Sequence, residues 1–205
     1  MEKEVILQYL PLYREALLLT LRIGWQGVLL AFVFGVACTW IRQLKIPVLK
    51  SLVTVYIELF RNTPLLVQLF FLYFGLPKVG VRLSAEACAV TGLTFLGGAY
   101  MAEALRSGLE AVDRAQAESG MCIGLTTLQN LRFVILPQAL ATSIPAIGAN
   151  AIFLIKETSV FSAVALADLM YVAKDLIGMY YKTDEALLML TVAYLTLLLP
   201  ISIAF

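Results

Sequence analysis

Ionisable side chains stand inside or at the ends of strongly apolar stretches of this sequence, where they could bind a charged molecule. Glu58 and Arg61 lie in the second such stretch, Glu103 in the third, and Lys156 with Glu157 at the end of the fourth. Ionisable residues at membrane depth usually face a cavity or a partner helix, because lipid does not solvate charge. Mixed charges at the end of a broken span are the usual components of a site for a zwitterion.

A structural role is the alternative for these groups. Glu58 and Arg61 are three residues apart on one helical face and could neutralise each other as a surface pair. Glu103 could form a structural pair with Arg106, one turn further on, at the inner edge of the membrane. Lys156 could be an interfacial anchor. We slightly favour the structural role for Glu103, and both interpretations stay open for the others.

Several classes of chemistry are excluded by residue type. The sequence contains no histidine, which removes Ser-His and Cys-His nucleophile systems and His-ligated metal sites. Cys38, Cys88 and Cys122 are far apart and form no C-x-x-C pair, so neither a metal knuckle nor a disulfide framework is encoded. No phosphate-binding G-x-x-x-x-G-K-[ST] loop occurs. We therefore expect no catalytic residue, no metal and no cofactor on this chain.

The composition is that of a membrane protein. Of the 205 residues, 61% are hydrophobic and 14% are charged, and the mean hydropathy is +0.89, whereas a soluble domain has roughly a quarter charged residues. The net charge of +1 gives no electrostatic support for a nucleic-acid partner. We predict an all-α membrane protein in which residues 1–205 form a single domain surrounded by lipid. Its five predicted spans cover residues 16–41, 51–75, 85–108, 133–155 and 186–205, after a short amphipathic lead-in.

Positive charge predicts the orientation of the chain. Arg42, Lys45 and Lys50 follow the first span with no acidic residue among them, which is the pattern of a cytoplasmic loop. The amino terminus is then predicted to lie outside, and the stretch between the third and fourth spans to lie inside.

Two of the prolines inside the predicted spans are candidates for helix breaks. Pro64 disfavours helix at the preceding residue and removes a backbone hydrogen bond in the second span, and Pro145 is predicted to break the fourth. Both are candidate hinges. Asn62 and Asn150 lie close by and could supply neutral polar contacts to a bound molecule.

The polar stretch 110–137 lies between the third and fourth apolar segments, and its pattern predicts two short helices separated by a glycine. Gly124 supplies a natural stop, and Thr126 or Thr127 can cap the second helix. A helix–Gly–helix between two spans offers a compact docking surface to a partner in the aqueous phase. Taken singly, Glu118 is better explained as a solvated residue and Gly124 as an ordinary C-cap, but the whole spacing favours docking.

This spacing resembles that of the permease subunits of ATP-binding-cassette (ABC) importers. Their motif is Glu-Ala-Ala, three residues, Gly, nine residues and Ile-x-Leu-Pro. Here Glu118-Ser119-Gly120 is followed after three residues by Gly124, and after nine more by Val134-Ile135-Leu136-Pro137, with departures at Ser119, Gly120 and Val134. The resemblance implies that the stretch, as the coupling loop 110–132, docks ATPase subunits. The implied docking residues are Ala115, Ala117, Glu118, Ser119, Gly120, Ile123 and Gly124.

Three further segments resemble polar amino-acid permeases of this class. Phe60-Arg61-Asn62-Thr63-Pro64-Leu65 is similar to their Phe-Arg-Gly-Thr-Pro-Leu segment, with Asn62 in place of Gly. The run from Gly98 to Arg106 is similar to Gly-Ala-Tyr-x-Ala-Glu-x-x-Arg, and Lys156-Glu157-Thr158-Ser159 to Lys-Asp/Glu-Thr-Ser.

The resemblance covers nearly the whole chain and implies a permease of the bacterial inner membrane that imports a polar amino acid by alternating access. Its expected partners are ATPase subunits that carry ATP and Mg²⁺, a second permease subunit, identical or related, and an extracytoplasmic binding protein. Arg61 is expected to bind the α-carboxylate and Glu157 or Glu103 the ammonium group. The other candidate substrate residues are Glu58, Asn62, Asn150 and Lys156. Members of the family usually continue into a short charged tail, so we expect this sequence to be trimmed at its carboxyl end.

Two other classes of protein compete with this interpretation. An ion-coupled transporter or channel would use the same buried charges, but it would leave the stretch 110–137 without a purpose. An intramembrane enzyme would need a Ser–Lys or paired-aspartate arrangement, and no two aspartates lie in the predicted spans.

Overall fold

A computed structural model describes residues 3–44 and 46–204 of the chain. Lys45, in the predicted cytoplasmic loop, and Phe205, at the end of the predicted fifth span, lie outside the described residues. Within the described residues the regular elements are all helical. The α-helices are α1 (Lys3–Gln43), α2 (Pro47–Arg61), α3 (Leu65–Phe70), α4 (Ala85–Glu110), α5 (Arg114–Cys122), α6 (Thr127–Asn130), α7 (Leu136–Glu157), α8 (Leu169–Tyr180) and α9 (Thr183–Ala204).

Four helical segments are long and apolar enough to cross a membrane, and a fifth is added if the bent pair that contains α2 and α3 counts as one span. This confirms the prediction of an all-α chain with about five spans. The four single segments are Ile6–Gln43, Ala85–Glu110, Thr127–Val164 and Thr183–Ile203.

α1 is much longer than a span requires. It has 41 residues, which at 1.5 Å per residue is about 60 Å, roughly twice the thickness of a hydrocarbon core. The predicted lead-in and the first span thus form one continuous helix, which already begins at Lys3. The extra turns pack against α8 and α9, where the Tyr13 hydroxyl donates a hydrogen bond to the Ala186 carbonyl (2.9 Å).

The second predicted span is not one helix. α2 ends at Arg61, the chain resumes helix at Leu65, and the segments on either side, Pro47–Arg61 and Leu65–Val79, are bent by 105°. Pro64 causes the break, since it has no N–H to donate and disfavours helix at Thr63. After α3 the chain continues through a π-helical turn and a 3₁₀ turn to Val79.

Polar side chains at the bend take up the carbonyl groups that the broken helix leaves free. Burying such groups unpaired would cost several kcal/mol each in lipid. Thr63 Oγ1 donates to the Leu59 carbonyl (2.8 Å). Gln68 Nε2 donates to the Thr63 carbonyl (2.9 Å) and lies 3.3 Å from the Phe60 carbonyl, which Pro64 cannot serve. Asn62 Nδ2 adds a second hydrogen bond to the Glu58 carbonyl (2.7 Å), which already accepts the Asn62 N–H. The carbonyl groups at the bend therefore have hydrogen-bond partners, which makes the bend stable.

α4 is the central helix, and it packs along α1 and α7. Small residues make this possible. A Cβ at Gly97 would lie 2.6 Å from Ala31 Cβ on α1 and 2.5 Å from Leu154 Cδ1 on α7, so the three helices meet there. A Cβ at Gly35 of α1 would lie 2.6 Å from Met101 Cβ and 3.0 Å from a backbone nitrogen of α4.

α5 and α6 form a hairpin of two capped helices, here called the α5–α6 hairpin (residues 113–130). The Asp113 side chain accepts a hydrogen bond from the Ala115 N–H at the start of α5 (2.9 Å). Gly124, with φ of +87°, ends the turn after α5. Thr126 rather than Thr127 caps α6, in a capping box with Gln129. The predicted helix–Gly–helix is present.

α6 continues into α7 through one π-helical turn, so that Thr127–Val164 is a single helical segment. The predicted break at Pro145 is wrong, because α7 passes through this residue without interruption. One proline removes a single backbone hydrogen bond, and packing against α4 holds the helix together. The role of Pro145 as a hinge stays a prediction.

Replacing Gly35 with alanine should destabilise the fold by about 1–3 kcal/mol, because the new methyl group would overpack the α1–α4 contact. Gly178 in α8 is the matched control, since a Cβ there would meet nothing within 4 Å. Gly178→Ala should raise stability by up to about 1 kcal/mol through helix propensity. The measurement is the midpoint of thermal unfolding in detergent, and an unchanged midpoint for Gly35→Ala would contradict the close packing.

The carboxyl group of Asp168 should make stability depend on pH. Asp168 is fully buried at the start of α8, and burial raises its pKa from 3.8 to about 6, although hydrogen bonds from backbone N–H groups oppose the shift. The folded protein therefore binds this proton more tightly than the unfolded chain. Stability should fall as the pH rises from about 4 to about 6, by on the order of 2–3 kcal/mol, and stay level above that.

Asp168→Asn should remove this slope and raise the unfolding midpoint at neutral pH, because the amide oxygen can still accept the Tyr171 N–H (2.9 Å). Asp175→Asn, on the exposed part of the same helix, is the control and should keep the wild-type slope. The midpoint is measured across the acid range for the wild type and both variants. An equal slope in the wild type and in the Asp168→Asn variant would rule out Asp168 as its source.

Candidate functional site

A cavity of about 270 Å³ lies at the bend between α2 and α3. Its walls come from this bend, from the middle of α4 and from the end of α7. The lining residues are Arg61, Asn62, Thr63, Pro64, Leu65, Leu96, Tyr100, Phe153 and Glu157. The cavity thus exists because the helix breaks at Pro64 and leaves space beside α4.

Opposite charges reach the cavity from two different helices. Arg61 is the last residue of α2, and its guanidinium lies over the Tyr100 ring, 5.4 Å from the centroid. Glu157 is the last residue of α7 and is partly buried. A site with a guanidinium and a carboxylate on separate walls can bind a molecule that carries both a carboxylate and an ammonium group.

Apolar and aromatic groups form the rest of the lining. Tyr100 and Phe153 pack with ring centroids 5.2 Å apart, and Leu65 and Leu96 complete the wall. A mostly apolar lining with a few convergent polar groups is the usual composition of a small-molecule site.

The sequence did not single out Tyr100 or Phe153 as site residues. A signal was nevertheless present, because Tyr100 precedes Glu103 by three residues and Phe153 precedes Glu157 by four. Each aromatic residue therefore lies one helical turn from a candidate charge and on the same face.

The structure brings together only part of the predicted substrate set. Arg61, Asn62 and Glu157 line the cavity, whereas Lys156 is exposed on α7. Asn150 supports the wall instead, since its Nδ2 donates to the Tyr100 carbonyl (3.2 Å) and ties α7 to α4.

Glu58 lies in a separate, more open groove on α2. This groove is lined by Thr54, Val55, Glu58, Leu59, Asn62 and Thr63, and it shares the last two residues with the cavity. The predicted pairing of Glu58 with Arg61 is not the one formed: Glu58 Oε2 accepts from Asn62 Nδ2 (3.3 Å), and Arg61 turns towards α4.

Glu103 lies at the centre of a cluster of arginines. Its carboxylate accepts short hydrogen bonds from Arg42 of α1 (2.6 Å) and Arg106 of α4 (2.9 Å), and Arg61 Nη1 lies 3.9 Å away. Arg106 also pairs with Glu110. The Glu103–Arg106 pair thus has the structural geometry considered above. Both carboxylate oxygens of Glu103 already accept hydrogen bonds from arginines. Glu103 is therefore placed to orient the nearby Arg61, and it is not placed to bind an ammonium group.

The α5–α6 hairpin presents apolar side chains away from the rest of the chain. Met121, Ile123 and Leu128 are 54%, 78% and 71% exposed, and with Glu118 we call them the docking surface. Ala115, Ser119 and Gly124 are also exposed, and Ala117 is partly so. Gly120 is buried and faces Asn130, so it is not part of this surface. Met121 and Leu128 were not among the predicted docking residues, although both are apolar residues in a polar stretch.

Among the described residues, no three His, Cys, Asp or Glu side chains come close enough to hold a metal ion. The cavity and the docking surface are joined by one element. The helical segment that starts with α6 carries Phe153 and Glu157 near its other end.

Comparison with known proteins adds to this geometry. Residues 27–205 match the family described as binding-protein-dependent transport system inner membrane component. The probable glutamine ABC transporter permease protein GlnP of Bacillus subtilis (strain 168) is 37% identical over 171 residues, which cover 83% of this chain and 78% of that protein. The probable amino-acid ABC transporter permease protein PatM of Vibrio harveyi is 38% identical over 192 residues, which cover 92% and 86%.

Two solved structures are similar to this chain. A chain from the crystal structure of an amino acid ABC transporter with histidines superimposes with a TM-score of 0.92, at 31% identity, over 98% of this chain and 94% of that one. The inward-facing MetNI methionine ABC transporter gives a TM-score of 0.78 at 20% identity, over 100% and 95%, which shows a shared fold. The chain belongs to the family of inner membrane components of binding-protein-dependent transport systems.

Proposed function

We propose that the chain is the membrane-spanning subunit of an ATP-driven importer and that it moves a polar amino acid into the cell by alternating access. The observation that carries the proposal is the cavity with Arg61 and Glu157 on separate walls. The names of the relatives, which are glutamine and amino-acid permeases, support the same class of substrate.

In the cavity, Arg61 would bind the α-carboxylate of the substrate through its fork of N–H donors, and Glu157 would accept from the ammonium group. Tyr100 and Phe153 would contact the side chain. Glu103 then serves as the anchor of Arg61, because it lies behind the guanidinium and outside the lining.

The docking surface is the site at which we place the ATPase subunits, which would carry ATP and Mg²⁺. The exposed apolar side chains on these two capped helices are unfavourable in water, and a protein partner that binds here would bury them. A second permease subunit, identical or related, would complete the path through the membrane. An extracytoplasmic binding protein would deliver the substrate.

We also propose that the amino terminus lies outside and the α5–α6 hairpin inside. Arg42 and Arg106 both pair with Glu103 near the ends of α1 and α4, and the hairpin follows directly. The basic residues Arg42 and Lys50 are therefore at the same end as the docking surface, in agreement with the usual excess of positive charge on the cytoplasmic side.

Movement between the two openings would be a rigid-body change. ATP binding draws the two ATPase subunits together, and each carries an α5–α6 hairpin with it. The walls of the cavity belong to the α2–α3 bend, α4 and α7, so a tilt of α7 relative to the bend opens or closes the space that holds the substrate.

Arg61→Ala should weaken substrate binding about thirtyfold or more, because loss of one partner of a close charge pair costs about 2–5 kcal/mol. Arg61→Lys keeps the positive charge but loses the paired N–H donors of the guanidinium. Its affinity for the substrate should lie between those of the wild type and of Arg61→Ala. Lys156→Ala, next to Glu157 in sequence but outside the cavity, is the control. The measurement is ATP-dependent uptake of radiolabelled amino acids into proteoliposomes as a function of concentration; unaltered uptake by Arg61→Ala removes Arg61 from the site.

Glu118→Lys combined with Ile123→Asp should abolish co-purification of the ATPase subunits, because it places charges on the docking surface. Ile123 is a better target than Gly124, whose φ of +87° would add backbone strain to any substitution. Met179→Asp, an equally drastic change at a 67% exposed residue in α8, is the control. The docking proposal is wrong if the double variant still retains the ATPase subunits, or if the wild type does not co-purify with them. Either result would favour an ion-coupled transporter.

A further inference from the structure

Asn130 is a buried amide in a hairpin whose other residues are mostly exposed. It is the last residue of α6, and only 3% of its surface is accessible. Its Nδ2 donates a 2.6 Å hydrogen bond to the Ala117 carbonyl in the middle of α5, while its Oδ1 has no hydrogen-bond partner among the described residues. The side chain therefore ties the two helices of the hairpin together.

Gly120 is the counterpart of this contact on α5. A Cβ at position 120 would overlap Asn130 Oδ1 and lie 2.9 Å from its Cγ. The glycine thus lets the amide lie directly on the α5 backbone. This close contact explains why position 120 is a glycine, although glycine weakens a helix by about 1 kcal/mol relative to alanine. It also fixes the position of α5 on α6.

Stability alone does not account for Asn130. A buried amide with one unpaired oxygen is disfavoured by roughly 1–3 kcal/mol, and a leucine of similar shape would fill the same space. What the amide provides and leucine does not is a directional bond. It fixes the angle between α5 and the helical segment that Asn130 belongs to.

That segment runs without interruption from α6 through the π-helical turn into α7 and reaches the cavity. Ser143 also locks α7 to α4, since its hydroxyl donates to the Ala139 carbonyl (2.8 Å) and lies 3.3 Å from the Ala104 carbonyl. Asn130 is therefore the residue that joins α5 to the helical segment that carries Phe153 and Glu157 near its other end.

We propose that Asn130 is a positioning residue that transmits the movement of α5 to α7, so that ATPase movement at the docking surface moves the cavity wall. The inference rests on the proposed function and adds to it the contact through which docking and cavity are coupled. Without the Asn130–Ala117 bond, α5 can tilt on α6 while α7 stays in place, and hydrolysis of ATP no longer moves the substrate.

The test uses Asn130→Leu in the complete complex of permease and ATPase subunits, reconstituted in proteoliposomes with the binding protein. The probe is whichever common radiolabelled amino acid the wild type takes up best. We expect the variant to assemble, to unfold at the same temperature or higher, and to hydrolyse ATP. The number of amino acids transported per ATP should fall about fivefold or more.

A second readout separates positioning from a general loss of activity. Spin labels at Gln116→Cys on α5 and Gln138→Cys on α7, with the exposed Cys122 replaced by serine, report the distance between the two helices. The distance distribution should be narrow with native Asn130 and broad in Asn130→Leu. A fall in transport per ATP with an unchanged distribution overturns the positioning role.

Two further variants keep the test decisive. Gly120→Ala displaces the amide from the other side and should reproduce both effects, also where Asn130→Leu does not fold. Gln129→Ala removes the exposed capping partner of Thr126 but leaves the Asn130–Ala117 hydrogen bond in place. The number of amino acids transported per ATP should therefore not change. An unchanged ratio in an assembled Asn130→Leu or Gly120→Ala complex overturns the inference, whereas a wild type that binds no ATPase overturns the proposed function itself.

Discussion

The requirement that every buried backbone group find a hydrogen-bond partner decides where this molecule can have a cavity. A helix that breaks in an apolar environment releases carbonyl groups that lipid cannot satisfy. Here Thr63 and Gln68 supply the missing partners at the break, each donating to carbonyls that precede it in the chain. The 105° bend is tolerated for this reason, and the space beside α4 follows from the bend.

Three arginines near the cavity share two carboxylates. Arg42, Arg61 and Arg106 surround Glu103, and Arg106 also binds Glu110. With three cations and two anions, the cluster has one positive charge in excess. Arg61 makes the longest contact, and its guanidinium also borders the cavity. The excess charge is thus available to a carboxylate at the cavity, while its neighbours remain neutralised.

Much of the fold could be predicted from the sequence, because span length, charge and turn chemistry are local properties. Gly124 and the Thr126 cap indicated the α5–α6 hairpin, and Pro64 indicated the break. The pairing of charges could not be predicted in the same way. Glu58 and Arg61 are neighbours on one helix, but Arg61 meets a residue on α4 that only the packing of glycine-lined helices brings near. Pro145 shows the converse, since tertiary packing preserves a helix that local preference would interrupt.

The uninterrupted helix from the hairpin to the cavity has a simple mechanical consequence. From Asn130 to Glu157 it extends about 40 Å at 1.5 Å per residue. A tilt of only about 5° at one end therefore displaces the other by about 3.5 Å, which is comparable to the length of one hydrogen bond. A small rotation at the hairpin would therefore move Glu157 away from the opposite wall of the cavity by about one hydrogen-bond length, and the length of the helix sets the size of this movement.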